Sequence, residues 1–103
     1  MKQSTPPIKN NFGGALHAAR SFACVTQEKF DAVSSRTYVS SLERGLKSPT
    51  LQKVDTLASV LGIHPLTLLT LAYCERPVEE DVTKLRRTIE RELSQLMGTD
   101  DAN

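Results

Sequence analysis

Arg36, Thr37, Ser40, Ser41 and Arg44 carry the side chains of this sequence best suited to reading another molecule. On a helix of 3.6 residues per turn over 36–44 they share one face, opposite Val39 and Leu42. Arginine can make a bidentate contact with guanine, and Ser and Thr hydroxyls can donate or accept. Small side chains also let a helix sit close to bases in a major groove. An ordinary solvated face has the same composition, so this pattern alone leaves both readings open. Other chemistry finds little support. No Ser/His/Asp set, phosphate-binding glycine loop or paired acids in a plausible cleft is visible, so no enzyme activity is expected. His64 precedes a proline at a helix start and reads as structural. Cys24, Cys74, His17 and His64 lack metal-ligand spacing. No metal, cofactor or small-molecule ligand is expected, and both thiols should be free in a reducing compartment.

One charge on that helix is on the wrong side. Glu43 shares the inward face with Val39 and Leu42. A buried carboxylate without a partner costs several kcal/mol, on the order of 2 or more, so it needs one. Arg20 lies one turn after Leu16, on or beside the inward stripe of the first helix. Its guanidinium can meet a carboxylate through two parallel bonds. A structural salt bridge of Arg20 with Glu43 is expected. The alternative leaves both exposed, with Glu43 answering Arg44 or Lys47.

The elements that must position these groups are all helical. Phe12, Leu16, Ala19 and Ala23 recur at helical spacing over 12–23, with Ala15 and Phe22 widening the stripe. Asn11 can cap that helix, while Gly13 and Gly14 weaken its first turn. Thr26 can cap a second helix with Phe30 and Val33 inward. Ser35 caps the third, which Gly45 ends. Thr50 caps a fourth, whose apolar face is Leu51, Val54, Leu57, Ala58 and Leu61, closed by Gly62. His64 and Pro65 start a fifth, with Leu66, Leu69 and Tyr73 inward. A sixth covers 78–97, with Val82, Leu85, Ile89, Leu93 and Leu96 at intervals of three and four. No strand pattern is present. The fold class is all-α.

With 103 residues, 39% apolar and 24% charged, the chain suits one globular domain with an extra element. Residues 1–11 are read as a flexible arm, 12–74 as the main domain, 77–98 as a separate C-terminal helix and 99–103 as a flexible tail. Lys2 and Lys9 in the arm could reach a phosphate, or the arm could be a plain disordered terminus. No apolar run approaches the length of a membrane span, and no signal peptide is apparent. A cytoplasmic, nucleoid-associated protein without membrane contact is expected. The net charge of +1 hides an asymmetry. Residues 1–53 hold eight Lys/Arg against three Asp/Glu, and residues 54–103 hold five against nine. The positive half could face phosphates, or the split could be chance.

These residues together resemble the Cro/lambda-repressor, or XRE-like, helix-turn-helix family of transcriptional regulators. The matching pieces are Phe12 and Gly13 with Leu16 and Arg20; Thr26, Gln27 and Glu28 with Phe30; residues 35–40; Leu42, Glu43, Arg44 and Gly45; Pro49 and Thr50; Leu61 and Gly62. They cover about residues 12–73. The resemblance implies a five-helix DNA-binding domain whose second and third helices form the helix-turn-helix. It implies base contact by Arg36, Thr37, Ser40 and Ser41. It implies backbone contact by Gln27, Tyr38, Arg44, Lys47 and Ser48, and it supports the salt bridge of Arg20 with Glu43. Two departures stand out. Between Phe30 and Tyr38 the chain is about two residues shorter than the usual pattern. Cys24 also occupies a place often held by Gly, where a positive φ would strain it.

The last helix approximates a heptad seam, interrupted by Glu92. It could fold back on its own domain or pair with a second copy. Because the five family helices already close a unit, a homodimer is expected, with Val82, Leu85, Ile89, Leu93 and Leu96 at the interface. The partner of such a dimer is double-stranded DNA carrying a palindromic site, and the expected function is repression of transcription. With about 30 residues after the fifth helix in this sequence, a separate ligand-sensing or protease domain is not expected. The alternative function is an antitoxin-like module. Its C-terminal helix would bind a partner protein while the helix-turn-helix autoregulates its operon.

Overall fold

The computed structural model describes residues 9–98. Its elements are α1 (Phe12–Phe22), a 3-10 turn (Gln27–Phe30), α2 (Arg36–Glu43), α3 (Leu51–Leu61), α4 (Pro65–Tyr73) and α5 (Glu79–Leu96). Among the described residues there is no strand. Most of the expected arm and all of the expected tail, residues 1–8 and 99–103, lie outside the described residues.

Local chemistry sets the helix ends. The Asn11 side chain accepts from the Gly14 N–H at 2.9 Å. Ser35 accepts from Tyr38 N–H and Thr50 from Lys53 N–H, both at 3.1 Å. His64 caps α4, its Nδ1 accepting from Leu66 N–H at 3.0 Å. Each cap satisfies a backbone donor that the first turn leaves unpaired. At the other end of α1, Cys24 takes the left-handed position with φ 58°. Val25 N–H then reaches back to Arg20 O at 3.0 Å, a wrap more often closed by glycine.

The core is built from one stripe of each element. Leu16 of α1, Phe30 of the turn, Val39 and Leu42 of α2, Leu57 of α3 and Leu68 of α4 are fully buried. Burial of each such side chain contributes about 1.5–3 kcal/mol. α1 lies mainly against α4 and α2, and Asn11 N–H bonds Ala72 O at 2.8 Å to tie its start to α4. α3 and α4 are bent by 108° to each other. Among the described residues no single helix is long and apolar enough to cross a membrane.

Several expectations need correction. The second element is one 3-10 turn, not an α-helix, and the Thr26 side chain makes no cap bond. A 3-10 turn advances about 2.0 Å per residue against 1.5 Å for an α-helix, so it spans the same gap with fewer residues. Phe30 closes that turn and is fully buried. Val33, expected inward, is exposed because the chain is already turning toward Ser35. Phe22 falls past the last contact of α1 with the core and is 92% exposed. Leu51, at the first position of α3, and Leu66 and Tyr73 of α4 also face outward.

α5 packs mainly on α4. Its first turn holds Glu79, Glu80 and Asp81, which complement the helix dipole. Asp81 is buried and accepts three hydrogen bonds from Arg76, at 3.0 Å each, from the backbone N–H, Nε and Nη2. That clamp ties the linker at Arg76 to the first turn of α5. Burial, aided by the Asp81 charge, pushes the neighbouring Cys74 thiol up.

Candidate nucleic-acid interface

The α2 helix is held at close quarters. A Cβ on Gly13 would lie 2.5 Å from Leu42 O and 2.7 Å from Glu43 O. Only glycine therefore lets α1 lie directly against the end of α2. Together with buried Val39 and Leu42 this contact fixes the rotation of α2, and so the face it presents outward.

That outer face carries Arg36, Thr37 and Arg44, all exposed, and Ser40, half-buried. With Gln27 they line one shallow depression of about 340 Å³. Ser41 does not belong to it. It is only 7% exposed, which corrects its assignment to base contact. On the helix it stands 140° from Arg36 and 100° from Leu42, on the margin of the packed arc. Its carbonyl instead accepts Leu46 N–H at 2.9 Å in the turn that closes α2.

Arg36 is the first residue of α2, where a positive charge opposes the helix dipole. Two carboxylates answer it. Its Nη2 lies 3.1 Å from Glu28 Oε2 and 3.4 Å from Asp31 Oδ2. Tyr38 is half-buried at the flank, with Lys47 Nζ 5.7 Å and Lys53 Nζ 5.3 Å from its ring centre. Lys53 also donates to Val33 O at 3.2 Å. Sequence reasoning missed Lys53. Its signal was a lysine in the first turn after the Thr50 cap, on the same side as the exposed loop. Lys47 and Ser48 are exposed in that loop, just beyond Gly45.

Behind this surface Arg20 and Glu43 meet in fork geometry. Arg20 Nε donates to Glu43 Oε2 at 2.6 Å and Nη2 to Oε1 at 3.0 Å. Their side chains are 15% and 8% exposed. Arg20 Nη1 also donates to Val25 O at 3.0 Å, holding the turn after Cys24. Gln27 Nε2 donates to Glu43 Oε1 at 3.0 Å. A carboxylate only accepts, so this contact sets the Gln27 amide: its nitrogen faces inward, leaving one N–H and the carbonyl oxygen for an outside partner. His17 Nδ1 lies 3.4 Å from the same Oε1. Burial raises the Glu43 pKa, but hydrogen bonds from Arg20, Gln27 and His17, with the Arg20 charge, outweigh it. The carboxyl is held below its ordinary value.

A helix-turn-helix family model matches residues 25–68, the segment that runs from the 3-10 turn through α2 and α3 into α4. Control protein C.BamHI of Bacillus amyloliquefaciens is 33% identical over 78 residues, covering 70% of this chain and 96% of that protein. The chain belongs to the helix-turn-helix family of DNA-binding transcriptional regulators. A second relative is the uncharacterized HTH-type transcriptional regulator y4dJ of Sinorhizobium fredii. It is 44% identical over 48 residues, 45% of this chain and 62% of that regulator. No solved structure matches. The family is one of transcription regulators and is not typically enzymatic. Among the described residues no three His, Cys, Asp or Glu side chains gather to hold a metal ion.

For this helix-turn-helix protein the residues expected at a dimer interface fall in two groups. Val82 and Leu85 are half-buried against α4, while Ile89, Leu93 and Leu96 are 39%, 48% and 82% exposed. Leu66, Leu69, Thr70 and Tyr73 of α4 line a cavity of about 280 Å³ together with Leu85 and Ile89. The apolar patch is therefore shared by both helices.

Proposed function

We propose that this regulator binds a palindromic operator in duplex DNA as a homodimer and represses transcription from it. The observation that carries the reading is the outer face of α2. Arg36, Thr37 and Ser40 stand together there, with Gln27 and Arg44 beside them, on a helix whose inner face is locked in the core. Arg36, Thr37 and Ser40 contact base edges. Gln27, Tyr38, Arg44, Lys47 and Ser48 contact the sugar–phosphate chain, and Lys53 joins them through its place beside Tyr38. Ser41 has no part in it. Residues 12–74 form the DNA-binding unit and 77–98 the dimerisation element.

The dimer rests on the apolar side chains that α4 and α5 leave exposed, Leu66, Tyr73, Ile89, Leu93 and Leu96. A symmetric pair places two copies of α2 about one helical turn of DNA apart, ~34 Å, which matches an inverted repeat. A small dimer seated on a promoter blocks polymerase by occupancy, which favours repression. The names of the two relatives, a control protein and a transcriptional regulator, support a regulatory role.

Selection of bound duplexes from a random pool, followed by mapping of bound sites on the genome, tests the reading. It expects an inverted repeat with half-sites about one turn apart. A single unrepeated site, or no enrichment, contradicts it. Co-purification of a second protein on α5 would favour the antitoxin-like alternative.

A further inference from the structure

We propose that the aromatic ring of Tyr38 is a positioning element for DNA backbone contact: it gathers the ammonium groups of Lys47 and Lys53 and holds them ready for the phosphates of one short stretch of a strand. The proposal rests on the backbone contacts assigned to these residues above, and adds what prepares them.

Tyr38 is the third residue of α2, half-buried and packed against the core. Lys47 comes from the loop after α2 and Lys53 from the first turn of α3. Both nitrogens nonetheless approach the same ring, Lys47 Nζ at 5.7 Å and Lys53 Nζ at 5.3 Å from its centre. Gathering two like charges costs electrostatic energy. Among the described residues neither lysine is in an ion pair, so no acid offsets that cost. A ligand anion would. A carboxylate could also hold the two lysines, but it would cancel their charge. The ring attracts them through its quadrupole and leaves the charge in place.

Nor does the ring compete with phosphate. An ammonium has three N–H donors. Lys53 spends one on Val33 O at 3.2 Å, and the ring takes the charge from one side. The remaining donors can meet phosphate oxygens while the ring contact persists. Apparent affinity scales with the fraction of molecules already in the binding geometry. A free lysine has many rotamers to lose, so the ring raises that fraction. Phosphates are the same in every sequence, so the gain is the same for every duplex.

The test uses the full chain, a duplex enriched by this protein from a random pool, and a shuffled duplex of equal length. Tyr38→Phe keeps the ring and Tyr38→Leu removes it, and neither has the hydroxyl, so their difference isolates the ring. Tyr38→Phe should bind both duplexes roughly three- to tenfold more tightly than Tyr38→Leu, the scale of one or two exposed cation–π contacts. In a Lys47→Ala/Lys53→Ala background that gap should vanish. Equal affinities, a gap confined to the enriched duplex, or a gap that survives without the lysines overturns the proposal. A second measurement needs no substitution at Tyr38. In wild type the side-chain methylene protons of both lysines should resonate upfield through the ring current, and should stay upfield when the shuffled duplex is added. Their return to free-lysine positions on binding overturns the proposal as well. If Lys47→Ala/Lys53→Ala binds the shuffled duplex as tightly as wild type, the backbone assignment itself has failed. If the lysines matter and the ring does not, only the positioning role has failed.

Discussion

Arg20 Nε and Glu43 Oε2 lie 2.6 Å apart across 23 positions of sequence, joining the second half of α1 to the last residue of α2. The pair does more than tie two helices. Through Glu43 Oε1 it also holds Gln27, and through Arg20 Nη1 it holds Val25. Val25, just before the 3-10 turn, and Gln27, its first residue, are thereby both anchored to the pair at the end of α2.

Arg20→Ala should therefore destabilise the protein in the absence of DNA. It leaves a nearly buried carboxylate with only Gln27 and His17, at a cost of about 2–3 kcal/mol. For a domain of this size that lowers the melting temperature by roughly 10 °C or more. Thermal denaturation of the variant checks it, and an unchanged midpoint contradicts the role given to the pair.

Acid should weaken the protein through the same carboxylate. Glu43 is held below its ordinary value despite burial, and Asp81 is held down by its hydrogen bonds from Arg76. In the unfolded chain both titrate in the ordinary carboxylate range, about 4. Between the folded and unfolded values the unfolded chain binds more protons, so stability rises with pH there. It is fully present above that range and is lost as pH falls through the depressed folded values. Denaturant midpoints measured from pH 6 downward should fall more steeply for wild type than for Glu43→Gln.

Gly13→Ala should destabilise by about 1–3 kcal/mol, although alanine is the better helix former by about 1 kcal/mol. The added Cβ would press on the carbonyls of Leu42 and Glu43, which are backbone and cannot rotate away. Chemical denaturation measures the loss. A stabilised variant would mean that α1 and α2 are less tightly apposed.

The glycine shows where sequence stops being informative. Read locally, Gly13 only weakens the first turn of α1. Its purpose depends on a helix 30 residues away. The helix ends were legible because Asn11, Ser35, Thr50 and His64 each act on their own next turn, a short-range bond that sequence displays. The all-α class was legible from spacing for the same reason. Ser41 was misplaced because the packed arc of α2 is wider than Val39 and Leu42 alone imply. Leu51, Leu66 and Tyr73 were placed inward because an apolar side chain facing solvent looks identical, in sequence, to one facing the core. The 3-10 turn was hidden because the capping pattern of Thr26 fits an α-helix as well. That Glu28 and Asp31 converge on Arg36 follows from the turn's shape, which the spacing of the three residues does not reveal.

The apolar patch of α4 and α5 makes its own prediction. Ile89→Glu/Leu93→Glu should yield a folded monomer with unchanged helix content, since both side chains are substantially exposed. Light scattering reads the mass. A variant that stays dimeric would remove α5 from the interface.

Phosphate and base contacts should separate on α2 and its loop. Lys47→Ala should weaken all duplexes about equally and lessen the salt dependence of binding by about one counterion. Titrations across salt concentrations check it, and a loss confined to the enriched duplex would make Lys47 a reader instead.

The most direct measurement is of Arg36→Ala against a panel of duplexes that differ from the enriched site by one base pair each. Wild type should discriminate at one position of each half-site by about 1–3 kcal/mol, and Arg36→Ala should lose that preference while keeping the others. A variant that keeps the full wild-type pattern would show that the outer face of α2 does not read the operator through Arg36.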